Sequence, residues 1–128
     1  MKKNMALSKY HIWRKTMVRV VNIKEDMPPK DYAVFLLDTA IEDSKKMGYK
    51  ALIVIHGYGS HGKGGDIKKE VYNYLLQAKK HHKITTFVPG DEWGDLNEEK
   101  QLMCQVCPQL LVNEHLYSIN SGVTAILL

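Results

Sequence analysis

No apolar run in this chain approaches the roughly 20 residues that a membrane-spanning helix needs. The longest, Ala51 to Ile55 and Val123 to Leu128, hold five and six residues. The N-terminal stretch has cations (Lys2, Lys3, Lys9, Arg14, Lys15) but no apolar stretch of the kind a secretory leader carries, so a cytoplasmic location is the default expectation. Cysteine is scarce too. Cys104 and Cys107 form C-x-x-C, but no second pair exists, and His115 alone cannot complete the four ligands of a structural zinc site. They do not follow a strand at a helix start, where a redox pair would sit. Two packed thiols on a buried helix face are expected, with no metal and no cofactor.

Cations are nearly absent from the last part of the chain. Residues 91–128 hold one lysine against six acids, whereas residues 1–90 hold 17 Lys and Arg against eight Asp and Glu. A basic body with an acidic C-terminal segment suits a polyanionic partner on one face, and it equally suits a solvated lysine-rich surface. The apolar fraction of 45% and charged fraction of 25% are those of a folded globular protein, and 128 residues suffice for one domain.

Hydrophobic pattern divides the chain into alternating elements. Residues 1–16 show no period and read as a basic arm or extension, with a domain over 17–128. Val18 to Ile23 is β-branched and reads as a strand. Pro28-Pro29 opens a helix in which Tyr32, Val34, Phe35, Leu36, Ala40 and Ile41 recur at helical spacing, closed by Lys45-Lys46 and Gly48. Ala51 to His56 is a second strand, apolar on both faces and so central. A glycine-dense loop follows, and Asp66 is placed to cap a helix with Ile67, Val71, Tyr74, Leu75 and Ala78 along one stripe. Ile84 to Val88 is a third strand. Residues 91–119 form an acidic insertion with a helical pattern near Leu102 to Leu111, its acids expected in solvent and Trp93 in packing. Gly122 to Leu128 is the last strand. The order βαβαβ(insertion)β predicts an α/β fold, a two-layer sandwich on a small mixed four-stranded sheet.

The loop, IHGYGSHGKGG over residues 55–65, lies where an α/β sheet places ligand loops, between a strand end and a helix start. Glycines let main-chain N–H groups approach an anion, and the helix N-terminus adds about half a positive charge. Two nucleotide templates fail on their chemistry. A P-loop needs Ser or Thr after its lysine, and Gly64 follows Lys63. A dinucleotide fingerprint needs an acid about 20 residues on, where Lys80 to Lys83 are basic or histidine.

The HGYG loop with its following amphipathic helix, the FVPGDEW stretch and the closing NSGVTAILL together resemble the Smr (small MutS-related) domain family, in its short stand-alone form. The resemblance covers residues 17–128. It implies a fold like the C-terminal domain of translation initiation factor three, nucleic-acid binding, and in several members endonuclease activity. Nuclease members carry LDLHG at the end of the first strand. Here the strand reads VNIKE, with Asn22 and Lys24 where the aspartate and histidine would stand. Losing acid–base groups costs a hydrolytic site about 10²–10⁴-fold, while Lys24 adds a cation for binding.

The expected site therefore comprises Lys24, His56, Gly57, Tyr58, Gly59, Ser60, His61, Gly62, Lys63, Gly64 and Lys68, holding DNA or RNA backbone phosphates with little base readout. Structure-selective binding of branched substrates and residual endonuclease activity through His56 are further expectations. His56 has a second reading, as a buried ring that fixes the loop by hydrogen bonds. The alternative for the whole protein is an interaction or regulatory domain whose glycine loop is structural only. No membrane partner is expected.

Overall fold

The computed structural model describes residues 17–25, 29–58 and 63–128, with side chains at 63–66 excepted. The arm at 1–16 and loop residues Gly59, Ser60, His61 and Gly62 lie outside the described residues. The described chain forms strands β1 (Val18–Asn22), β2 (Ala51–Ile55), β3 (Thr86–Pro89) and β4 (Val123–Leu127) and helices α1 (Lys30–Lys46), α2 (Lys63–Lys80) and α3 (Glu98–Val106). The sheet order is β1-β2-β4-β3, with β1 and β2 parallel and β4 antiparallel to both of its neighbours. This is the expected α/β sandwich on a mixed four-stranded sheet. No helix among the described residues is long and apolar enough to cross a membrane.

Alternation along the strands divides the interior into two cores. Leu52, Val54 and Ile126 face the helices and pack with Leu37, Ile41, Ile67, Val71 and Leu75. Ala51, Ile53, Val123, Ala125 and Leu127 face the other way, onto Trp93, Met103, Cys107, Leu110 and Leu116 of the insertion. The insertion is thus not only a solvated acidic loop. It covers the second face of the sheet, which explains why β2 and β4 are apolar on both sides.

Several acids of the insertion also have partners: Asp91 with Lys68 at 3.4 Å, Asp95 with Lys100 at 2.9 Å, and Glu99 with the Thr86 hydroxyl at 2.6 Å. Lys100 also lies over the buried Trp93 ring at 5.4 Å. The helical pattern expected to Leu111 stops at Val106, because Pro108 lacks the N–H that would continue it. Cys107 therefore caps α3 as a fully buried thiol instead of sharing a helix face with Cys104, which is half-buried.

Helix α1 presents a different face from the one its sequence suggests. Ala33, Leu37, Ala40, Ile41 and Ser44 are buried, whereas Tyr32 and Phe35 are exposed and stack on each other at 6.1 Å. Small residues at 33, 40 and 44 let the helix sit close to the sheet, and Ser44 satisfies its hydroxyl on Ala40 O at 2.5 Å. Helix α2 buries Ile67, Val71, Leu75 and Ala78 as expected. It begins at Lys63, so Asp66 lies within its first turn and is not the cap. The two helices are joined through Asp38, which accepts from both the Tyr74 hydroxyl and the Lys83 ammonium. Lys83 holds the Asp38 carboxyl below its ordinary range, and burial pushes the Tyr74 phenol up to about 12.

Both helices end alike. Tyr49 N–H bonds Ser44 O and Gly48 N–H bonds Lys45 O; Lys83 N–H bonds Ala78 O and His82 N–H bonds Lys79 O. These are Schellman ends. Gly48 takes the left-handed position with φ +87°, while His82 takes the equivalent position with φ 60° and bears the strain of a side chain there.

Gly90, at the start of the insertion, is the most closely packed of the described glycines. A Cβ there would lie 1.9 Å from Asn120 O and 2.8 Å from Val123 O. Gly90→Ala should lower unfolding free energy by about 3 kcal/mol or more, because backbone rather than a side-chain tip must move. Gly94→Ala, with nothing within 4 Å of the new methyl, should stay within about 0.5 kcal/mol. His82→Gly should raise stability by up to about 1 kcal/mol. Urea titrations of the three variants check these values.

Candidate functional site

Parallel pairing brings the ends of β1 and β2 to one edge of the sheet, where β4 starts and β3 ends. Helices α1 and α2 also begin on this edge, since each follows a strand end. Of the expected site residues, the structure brings Lys24, His56, Gly57 and Tyr58 together here.

The turn after β1 is set by Asn22, whose Oδ1 accepts from Lys24 N at 2.9 Å and Glu25 N at 3.1 Å. Ile23 is buried and its N–H bonds Ile55 O at 3.0 Å, so Lys24 emerges beside the end of β2. Its aliphatic stem lies along Gly57, where a Cβ would come 3.3 Å from Lys24 Cδ. Gly57 has φ +87°, so this position combines a left-handed backbone with a close neighbour.

His56 is 1% exposed. Its Nδ1 lies 2.8 Å from Gly57 O and its Nε2 lies 2.8 Å from Thr124 Oγ1. A carbonyl only accepts, so Nδ1 carries the proton and Nε2 accepts from the Thr124 hydroxyl. Burial lowers the imidazole's proton affinity, and the nearby Lys68 charge lowers it further; the Gly57 and Val123 carbonyls and Asp91 act the other way and do not reverse it. The ring is neutral, internally satisfied, and joins the loop to the last strand.

The main chain reinforces that joint. His56 N–H and Gly57 N–H both donate to Gly122 O, at 3.0 and 3.1 Å, so the Gly57 N–H already has a partner within the fold. Gly122 is in turn held by Asn120 Oδ1, which accepts Gly122 N–H at 2.9 Å. Tyr58 is 66% exposed and its ring covers Gly122, with carbon atoms 3.2 and 3.3 Å from where a Cβ would stand. Asn120, Gly122 and Thr124 thus shape the site, although only the glycine of the last strand was visible as a signal in the sequence.

Lys68 stands one helical turn into α2 and pairs with Asp91 across to the end of β3, where a shallow groove lined by Lys69, Tyr72, Pro89 and Glu92 begins. Lys63 and Gly64 form the first residues of α2, and the side chain of Lys63 lies outside the described residues. Among the described residues no three His, Cys, Asp or Glu side chains converge as a metal site requires. Burial pushes both thiols, Cys104 and Cys107, up from their ordinary range.

A family model described as Smr domain matches residues 29–94, a little over half of the chain. The match runs from the start of α1 through α2 and β3 to Gly94, and it contains the glycine loop. No curated protein and no solved structure matches the chain.

Because the folded chain holds His56 neutral with a lowered pKa, the unfolded chain binds the extra proton more readily. The contribution of this residue is present above the unfolded value of about 6.5 and is lost as pH falls toward the folded one. Stability measured from pH 7.5 down to 5 should fall faster in the native protein than in His56→Gln, by at most about 1.4 kcal/mol per pH unit. Parallel curves would show that His56 is protonated at no cost in the fold.

Proposed function

The chain belongs to the Smr domain family, and from that premise we propose a nucleic-acid-binding function exercised at the carboxyl edge of the sheet. The supporting observation is the convergence at one edge of the Lys24 side chain, the turn at Gly57 and the starts of both helices. Main-chain N–H groups beyond Gly57, the start of α2 and the ammonium groups of Lys24 and Lys63 suit backbone phosphates in DNA or RNA. Tyr58, exposed at the rim, offers a ring for a base or ribose. Contacts of this kind read backbone path more than sequence, which favours branched or structured substrates.

Among the described residues, this edge supports binding rather than hydrolysis. His56 has both nitrogens engaged and Asn22 Oδ1 accepts two main-chain N–H groups, so neither residue offers an acid–base group to a scissile phosphate. We assign His56 to positioning the loop. Residual endonuclease activity through His56 would require the ring to leave Thr124 and Gly57.

One observation favours a protein partner instead. The insertion exposes Leu111, Val112, Tyr117 and Ile119, an apolar surface beside acidic residues.

One titration separates the two readings: labelled duplex, branched DNA and stem-loop RNA at several salt concentrations, each sample resolved on native and denaturing gels. The expected result is a salt-sensitive shift without new fragments, its log affinity falling about 0.9 per log unit of salt for each duplex phosphate contacted. Lys24→Ala with Lys63→Ala should weaken duplex binding about 60-fold near 0.1 M salt, the loss of two such contacts. Fragments that vanish in His56→Ala would restore a hydrolytic role. Absence of any shift would leave the insertion surface as the functional one.

A further inference from the structure

The most basic surface of the described protein is not at the glycine loop. On the carboxyl edge Lys24, Lys30, Lys68 and Lys69 stand among Glu25, Asp31, Asp91 and Glu92. The opposite edge, where both helices end, carries Lys45, Lys46, Lys50, Lys79, Lys80 and Lys83 against Glu42, Asp43 and Glu99. The two αβ turns have parallel sequences, KKMGYK over 45–50 and KKHHK over 79–83. Offsetting a helix dipole needs a cation in the last turn. Here each helix ends in a lysine pair, and a further lysine follows each turn.

Some of these lysines are committed to the fold. Lys83 is clamped by Asp38 and Glu42, Lys79 reaches Glu99 at 4.0 Å, and Lys45 donates to Lys83 O at 2.9 Å. Lys46, Lys50 and Lys80 are exposed and have no acidic partner among the described residues. The chain also enters β1 here, since Lys50 N–H bonds Met17 O. The sequence immediately before Met17 carries Lys2, Lys3, Lys9, Arg14 and Lys15 and no acid.

We propose that this amino edge is a second backbone-phosphate surface, so that the protein grips a nucleic acid at two poles. The proposal rests on the nucleic-acid reading above. Helix α2, with 18 residues, separates the poles by about 27 Å. That span corresponds to roughly eight base pairs of rise at 3.4 Å each. Between the poles the two helices carry Asp38 and Glu70 and no lysine or arginine, so contact is concentrated at the ends. The partner is a duplex long enough to reach both poles, or two segments of a branched one.

The test is anisotropy of a labelled 30-base-pair duplex over a salt series, with three variants. Lys46→Gln with Lys80→Gln should weaken binding about 60-fold near 0.1 M salt and reduce the salt slope by about 1.8, two duplex contacts' worth. Lys46→Arg with Lys80→Arg should bind as the native protein does, which ties the loss to charge and not to altered helix ends. If the Gln pair leaves affinity and slope unchanged while Lys24→Ala with Lys63→Ala weakens binding, the second pole is refuted and the loop reading stands. If the native protein binds no duplex at any salt, the nucleic-acid reading falls and the second pole falls with it.

Discussion

The strand that comes last in the chain lies in the middle of the sheet. β4 separates β2 from β3, which are parallel to each other and make no direct pairing. The chain leaves β3 at Pro89 and must return to start β4 on the same edge, so the intervening segment begins and ends at one place. Gly90 and Asn120 meet there, Asn120 N–H donating to Gly90 O, at a distance that admits no side chain on residue 90. The segment between them has one open direction, across the free face of the sheet. It lays Trp93, Met103, Cys107, Leu110 and Leu116 over the apolar residues of β2 and β4. The two cores and the closed insertion are consequences of that one placement.

The candidate site follows from the same constraint. With β4 adjacent to β2, the chain entering β4 supplies Gly122 O to the His56 and Gly57 N–H groups and Thr124 Oγ1 to the imidazole. A buried neutral histidine is tolerated only because both nitrogens are satisfied. The ring links the loop to a strand 68 residues away. Glycine at 57 permits the turn, and Lys24 closes over it from β1. Three chain segments, distant in sequence, fix the direction in which the loop leaves the sheet. Such preorganisation would serve the proposed phosphate contacts, because flexible main chain loses entropy on every binding event.

Local pattern carried the elements whose burial is one-sided or complete. β2 was readable from five consecutive apolar residues, and α2 from Ile67, Val71, Leu75 and Ala78. Helix α1 was legible in its extent but not in its phase. Tyr32 and Phe35 offer far more side-chain area to bury than Ala33, Ala40 and Ser44, yet the small residues face the sheet because close approach favours them. The insertion misled for the opposite reason: its six acids against one lysine suggest a solvated loop, while its buried Trp93, Met103 and Leu110 are spaced irregularly through short turns. β2 could be read as central, but the order of the other strands was not legible, since an apolar strand is equally at home at any interior position. The glycine loop could be read directly. The contacts that Asn120, Gly122 and Thr124 make with it could not, because only the placement of β4 brings those residues to it.

Charge shows most clearly how the fold changes what a sequence suggests. The excess of cations before residue 90 reads as one basic face, and the motif invites placing that face at the glycine loop. Folding divides the charges otherwise. The two helices run parallel, so their terminal lysines gather at the edge farthest from the loop, and the loop edge retains acids beside its lysines. Asp91, from the acidic segment, returns to hold Lys68 within 3.4 Å. An edge with balanced charge and fixed main-chain geometry can place a phosphate but attracts one weakly at a distance. A lysine-rich edge does the reverse, raising encounter rate and affinity with little control over orientation. In the two-pole proposal, separating these tasks by the length of a helix would let geometry at the loop select a backbone path while charge at the other end supplied much of the affinity.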